Sequence, residues 1–345
     1  MAKINEMLPR ERVLTIFNHK EADTCAAITP TSVVTNECMR AIGVSVPKIH
    51  TVSSDMASLA ATAHTMLGFD SVMPYFSVHL EAEMLGCEID WKSANMPIIL
   101  EHPIKDPENF SRPKNMLSKP LARQLISAIK QLKSRFGNRV AIIGKVMGPW
   151  SLMYNLYGVG NLLLDIVVEP EKIKAFIKEL LPLPIEFAHA QFEAGADIIT
   201  WADHVTADII SPQIYEEFVL PAHIEANRHF SGDQKIVLHT CGNVMDRIHL
   251  IKKTGFEAFH IDSRNNIPKV MQIIGDDIIL TGAINNPSTL VMGDRVQIKN
   301  EVKNNIMSGI KLIAPECAIP YNVTNQSLVT LVKTAHSYRC YDRRI

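Results

Sequence analysis

The stretch Lys235-Ile236-Val237-Leu238-His239-Thr240-Cys241-Gly242-Asn243 places an imidazole and a thiol at the end of an apolar, β-type run. Side chains two apart on a strand share a face, so His239 and Cys241 are expected to project together. Gly-Asn stops the strand, and residues 244–251 read as the helix that follows. A histidine and a cysteine are half of a zinc site, and the third ligand must come from elsewhere in the chain. Cys317, which follows the apolar run 310–314 and Pro315, is the candidate. A bare His-x-Cys is a weak signal, because buried histidines and cysteines ordinarily pack. Its weight comes from all three residues standing at strand ends.

Other polar residues fall at strand ends too: Asp203 and His204, His260 and Asp262, Asn285 and Asn286, and Glu316. Asp262 has two readings at a metal site, a fourth ligand or an acceptor for the His239 ring N–H. A carboxylate in an inner polar network is the plainer alternative. Asp203 and His204 read as lining residues, with a proton relay as the sharper option.

The elements that must position these residues alternate. Pro9 opens a short N-terminal helix (10–18), residues 24–30 form a first strand stopped by its proline, 54–67 a helix and 69–75 a second strand. Residues 76–118, with prolines at 97, 103, 107 and 113, form an irregular excursion, with a hairpin near 87–91 and a lid as one possible role. Then come helix 121–136, strand 140–146, helices 160–168 and 171–194, strand 197–203 and helix 212–230. After the His239 strand the unit repeats: strand 258–262, helix 268–274, strand 278–283, helix 297–307, strand 310–314 and helix 325–337. About eight near-continuous apolar strands separated by helices signal a parallel sheet covered by helices, and favour a closed (β/α)₈ TIM barrel over an open sheet. No GxGxxG or Walker A motif supports a nucleotide-binding open sheet. Residues 1–345 read as a single barrel domain.

Bulk properties narrow the function classes. A net charge of -1, with 21% charged residues, offers no basic field for nucleic acid or an anionic membrane. The N-terminus lacks a signal-peptide pattern and no apolar run reaches a membrane span, so a cytoplasmic protein is expected. The six cysteines are dispersed without a CxxC pair, which argues against a disulfide framework. Cys25, Cys38, Cys87 and Cys340 are expected to be small buried hydrophobes.

From about residue 9 to 338 the chain resembles the uroporphyrinogen decarboxylase superfamily, and most closely its zinc methyltransferases. The resemblance is carried by Gly148-Pro149-Trp150, by residues 211–221 (SPQIYEEFVLP), by His239-Thr240-Cys241-Gly242-Asn243, by residues 282–287 (GAINNP) and by residues 314–320 (APECAIP). The His-x-Cys and distant Cys look like the constellation of the methylcobamide:coenzyme M methyltransferases of methanogens. The resemblance implies a (β/α)₈ barrel binding one catalytic Zn²⁺, with His239, Cys241 and Cys317 as its ligands. Three protein ligands leave one position open, where a substrate thiol would lose its proton and stay nucleophilic. The implied acceptor is coenzyme M, and the donor a methyl-corrinoid. No Asp-x-His-x-x-Gly corrinoid motif is present, so the corrinoid is expected on a partner protein docking over the barrel mouth, with Met147, Met153 and Tyr154 as an apolar rim. Arg264 and Lys145 are candidates for the sulfonate of coenzyme M.

Two departures concern the acceptor more than the metal. Residues 319–325 replace a Pro-x-x-Thr-Pro pattern, and Asp262 stands where a glutamate is expected. The alternative is the opposite half-reaction, a demethylase moving methyl from a methoxyaromatic, methanol or methylamine to cob(I)alamin. A uroporphyrinogen decarboxylase is disfavoured, because residues 26–32 contain none of the arginines that a multiply carboxylated tetrapyrrole needs.

Overall fold

The computed structural model describes residues 6–91 and 97–339. Among the described residues ten strands run in chain order as β1 (Ala26–Ala27), β2 (Ser71–Val72), β3 (Glu88–Asp90), β4 (Ile98–Glu101), β5 (Ala141–Met147), β6 (Ile198–Ala202), β7 (Lys235–Thr240), β8 (Ala258–Ile261), β9 (Ile279–Ile284) and β10 (Leu312–Pro315). Eight of them form one sheet in the order β1-β10-β9-β8-β7-β6-β5-β2, and every pairing within it is parallel. The strands are buried along nearly their whole length, as expected where helices cover one side and the lumen closes on the other. This is the expected (β/α)₈ barrel.

The barrel shuts between β1 and β2 through a carboxylate. Asp70 N–H donates to the Ala27 carbonyl at 2.8 Å, while Ala27 N–H donates to Asp70 Oδ2 at 2.8 Å. Thr29 N–H adds a bond to Ser71 Oγ at 2.7 Å. The expected strands 24–30 and 69–75 therefore shrink to two-residue ladders, because side chains do the pairing that a longer ladder would do. Asp70 is in turn gripped by Arg12 Nη1 at 2.6 Å and lies 2.7 Å from His336 Nε2. Arg12 also holds Asp23 with two bonds of 2.7 Å. This network lies at the amino ends of the strands, the floor of the barrel.

Prolines reset the helices. The expected helix 171–194 is two, Pro170–Leu180 and Pro182–Glu193, because Pro182 brings no N–H and crowds the preceding turn. The expected helix 212–230 is divided in the same way into Pro212–Ile214, a wide turn at Tyr215–Val219 and Leu220–Arg228, with Pro221 at the junction. A helix that the sequence reading missed, Pro149–Tyr157, follows β5 directly.

The excursion 76–118 contains a short helix, Leu80–Met84, and the expected hairpin, with β3 and β4 antiparallel. Being the connection that leaves the carboxyl end of β2, it belongs to the mouth side. The Trp91 ring lies 5.4 Å from His50, on the short helix Lys48–Thr51 in the connection after β1. No single helix among the described residues is long and apolar enough to cross a membrane.

Candidate metal centre

β7 and β8 run side by side with His239 opposite His260, so both rings project into the mouth and stack at a centroid distance of 4.5 Å. His239 Nε2 lies 3.1 Å from Cys241 Sγ and 3.5 Å from Cys317 Sγ, and the two sulfurs are 2.7 Å apart. The three donor atoms all fall within 4.8 Å of one another. A tetrahedral zinc, with bonds of about 2.3 Å to sulfur and 2.0 Å to nitrogen, wants ligand atoms roughly 3.5 to 3.8 Å apart. The ring distances are close to that already, and opening the sulfurs by about 1 Å would seat the ion. The donor set therefore fits a zinc with three protein ligands.

Each donor is held by backbone. The His239 ring turns its Nδ1 toward the His260 carbonyl at 3.3 Å, which leaves Nε2 facing the sulfurs. His260 sits beneath, with Nε2 2.8 Å from the Pro315 carbonyl, and burial pushes its imidazole well below the usual range, so it is neutral. Cys241 rides on a tight turn. Gly242 has φ +90, a conformation that suits only glycine, and its N–H donates to Asp262 Oδ2 at 2.8 Å. Asn265 completes the clamp, accepting Val244 N–H at 2.8 Å and donating to the Gly242 carbonyl at 3.0 Å. Cys317 is fixed from the turn that follows β9, because Asn286 Nδ2 donates to the Cys317 and Ala318 carbonyls at 3.3 and 3.0 Å. Glu316 ties the same loops together through Asn286 N–H at 2.8 Å and through Ser263.

Electrostatics favour a shared charge. The contact from Cys241 holds the Cys317 thiol well below its ordinary range, aided by His239, and the same contact lifts the Cys241 thiol well above it. One thiolate forms readily and the second proton leaves when a cation takes its place, which is how metal binding couples to proton release. Lys145, on β5, is buried in the lumen, and burial lowers its amine below the usual lysine range, against the opposing pull of the Cys317 and Cys241 sulfurs.

The remaining expected residues have distinct places. Asp262 is buried, but it lies outside the donor cluster, and its second oxygen accepts Arg264 N–H at 2.9 Å. The acceptor for the His239 ring is the His260 carbonyl rather than Asp262. Asp203 caps the helix Pro149–Tyr157 by accepting Ser151 N–H at 2.7 Å, and lies 3.0 Å from His223 Nε2. That explains Gly148-Pro149: a Cβ on Gly148 would collide with the Asp203 carboxylate. His204 lies edge-on to Tyr154, and burial lowers its imidazole, with His239 adding to the effect. Met153 is fully buried, so it packs the core and forms no rim. Arg264 is half exposed and pairs with Asp208 at 2.9 Å, which leaves Lys145 as the cation facing the lumen. Cys25, Cys38 and Cys87 are buried free thiols, as expected, and Cys340 lies outside the described residues. Asn265 went unnoticed because nothing about a lone asparagine in a loop sequence marks it as a clamp.

The family model described as Uroporphyrinogen decarboxylase (URO-D) matches residues 8–338. The chain is 28% identical over 333 residues to the methylated-thiol–coenzyme M methyltransferase of Methanosarcina mazei, covering 96% of this chain and 89% of that protein. It is 28% identical over 347 residues to the methylcobamide:CoM methyltransferase MtbA of Methanosarcina acetivorans, covering 97% and 100%. A solved methyltransferase structure from Methanosarcina mazei superposes with a TM-score of 0.92 at 27% identity, over 96% of this chain and 99% of that one.

Proposed function

The chain belongs to the uroporphyrinogen decarboxylase family, and within it we propose a zinc-dependent methyltransferase that moves a methyl group from a methyl-corrinoid on a partner protein to the thiol of coenzyme M. The observation that carries this reading is the convergence of His239, Cys241 and Cys317 at the barrel mouth. The names and full-length coverage of the methyltransferase relatives support the reaction class. The lack of a cation in the mouth segment 26–32 speaks against the carboxylate-rich substrate that the family's name implies.

His239, Cys241 and Cys317 would hold the zinc, which supplies an open position where a substrate thiol is deprotonated and kept electron-rich. The rest of the work belongs to the chain. The His260 carbonyl fixes the tautomer of His239, so that the donating nitrogen faces the sulfurs. The Asp262 and Asn265 bonds hold the Cys241 turn, and Asn286 holds Cys317, so binding asks only that the two sulfurs part by about 1 Å. The neutral His260 and the buried strand ends keep water away from the side of the centre that faces the core. The corrinoid must approach from the mouth.

The test is anaerobic: zinc-loaded protein is mixed with free methylcobalamin, coenzyme M is added, and the cobalamin spectrum is followed. Demethylation that requires both zinc and the thiol is the expected result. A flat trace with zinc fully bound would overturn this direction of transfer and favour the demethylase alternative.

A further inference from the structure

Cys241 and Cys317 come from separate parts of the chain, one just after β7 and the other just after β10, yet their sulfurs stand 2.7 Å apart. A disulfide bond is about 2.05 Å long, whereas two sulfurs on one tetrahedral zinc stand roughly 3.7 Å apart. The observed separation is nearer to the bond than to the metal pair. The clamps around the centre act on backbone groups, the Gly242 N–H and carbonyl and the Cys317 carbonyl. They hold the two turns in place and leave each sulfur free to turn about its Cα–Cβ bond.

The other described cysteines do not compete. Cys25, Cys38 and Cys87 are buried, whereas Cys241 and Cys317 are partly exposed. Cys38 Sγ is turned to Asn325 Oδ1 at 3.3 Å, and Cys87 Sγ to the Asn155 carbonyl at 3.1 Å. A small oxidant entering from the mouth therefore meets one pair of sulfurs already in contact, and reactivity follows exposure.

We propose that Cys241 and Cys317 are a modification site as well as a ligand pair: a peroxide links them in a disulfide, which expels the metal until a dithiol reduces it. One thiolate attacks the peroxide O–O bond, which breaks to give a sulfenic acid and a hydroxide that takes a proton from solvent. The second sulfur attacks the first, the S–S bond forms, the S–O bond breaks, and the leaving hydroxide is protonated in turn. Two thiolates, one peroxide and two protons become one disulfide and two waters. Of the three donors only the His239 nitrogen then remains. The expulsion of zinc rests on the metal-centre reading above, and the disulfide does not.

The test exposes zinc-loaded protein to hydrogen peroxide in anaerobic buffer and follows released zinc with a chromogenic chelator. Remaining thiols are alkylated in denaturant, and the chain is weighed intact and after digestion. The expected result is loss of the bound zinc, a mass lower by about 2 Da before alkylation, and a linked peptide pair carrying Cys241 and Cys317. Two fewer of the six cysteines should take the alkylating agent, and dithiothreitol with added zinc should return both thiols and metal. Cys317→Ser, which lacks one partner, should gain oxygen at Cys241 instead. In the wild-type protein, a gain of about 16 or 32 Da at either sulfur with no linked peptide would overturn the proposal. So would thiols that stay alkylatable, whether or not zinc leaves, or a reduced protein that no longer binds zinc. A chain that never binds zinc yet links Cys241 to Cys317 would sink the metal reading and leave the modification site standing.

Discussion

The mouth and the floor of the barrel both bury charge, and they do so differently. At the floor, Arg12 meets Asp23 and Asp70, and Asp70 meets His336 and the Ala27 amide, so each named charge is paired. At the mouth two thiols crowd one imidazole, and a lysine hangs over an aromatic ring with no hydrogen-bonded anion among the described residues. A cavity of about 570 Å³ lies beside the floor network, lined by Arg12, Asp23, Asp70 and His336 among others. Volume alone would make it a site. Pairing argues otherwise, because satisfied buried charges close the seam while unsatisfied ones wait for a ligand.

The contrast is broken most severely by removing a ligand. Cys317→Ala or His239→Ala should cut bound zinc from about one per chain to near zero and lower methyl transfer at least ~1000-fold, as loss of a catalytic ligand does. Elemental analysis and the cobalamin assay check this, and circular dichroism should show an intact fold.

Asp70→Ala should have the opposite profile. It leaves the Arg12 guanidinium short of a partner and opens the seam, at about 3–5 kcal/mol of stability. Denaturant unfolding measures that loss, while zinc per folded chain stays at the wild-type level.

Asp262→Asn sharpens the assignment of Asp262 as a clamp. It keeps an acceptor but loses charge at the Gly242 N–H, so zinc affinity in chelator competition should fall by about 10- to 100-fold while the metal still binds. Complete loss of zinc would make Asp262 a ligand.

A further test uses pH. Burial raises the Glu81 carboxyl to about 7 from its ordinary value near 4.5. The folded state therefore holds a proton that the unfolded chain releases, so stability is full below about pH 4.5 and declines as pH rises towards 7. Glu81→Gln should flatten that decline, a change of about 2–4 kcal/mol across the window, read from unfolding at several pH values.

The barrel was legible because its strands are long apolar runs punctuated by polar ends, a pattern that burial on both faces requires. The helix Pro149–Tyr157 was not, because every residue in it except Asn155 is buried and no amphipathic period survives. The seam strands were overestimated because Asp70 replaces ladder bonds with side-chain bonds, which composition does not announce. His239, Cys241 and Cys317 were visible as residue types at strand ends, and the barrel's closure brings them together. The residues holding them were harder to see. Asn265 and Asn286 act through backbone carbonyls, and nothing in the chemistry of an asparagine distinguishes a clamp from a loop. Lys145 did leave a mark, as a lone charge inside an apolar strand.

Three protein donors holding zinc and leaving one position for a thiol is a coordination that can be read at the metal. X-ray absorption at the zinc edge tests it most directly, with and without coenzyme M. Two sulfurs and one imidazole nitrogen from the protein are expected, rising to three sulfurs when the thiol is added. An unchanged sulfur count after addition, with the thiol in excess, would contradict it.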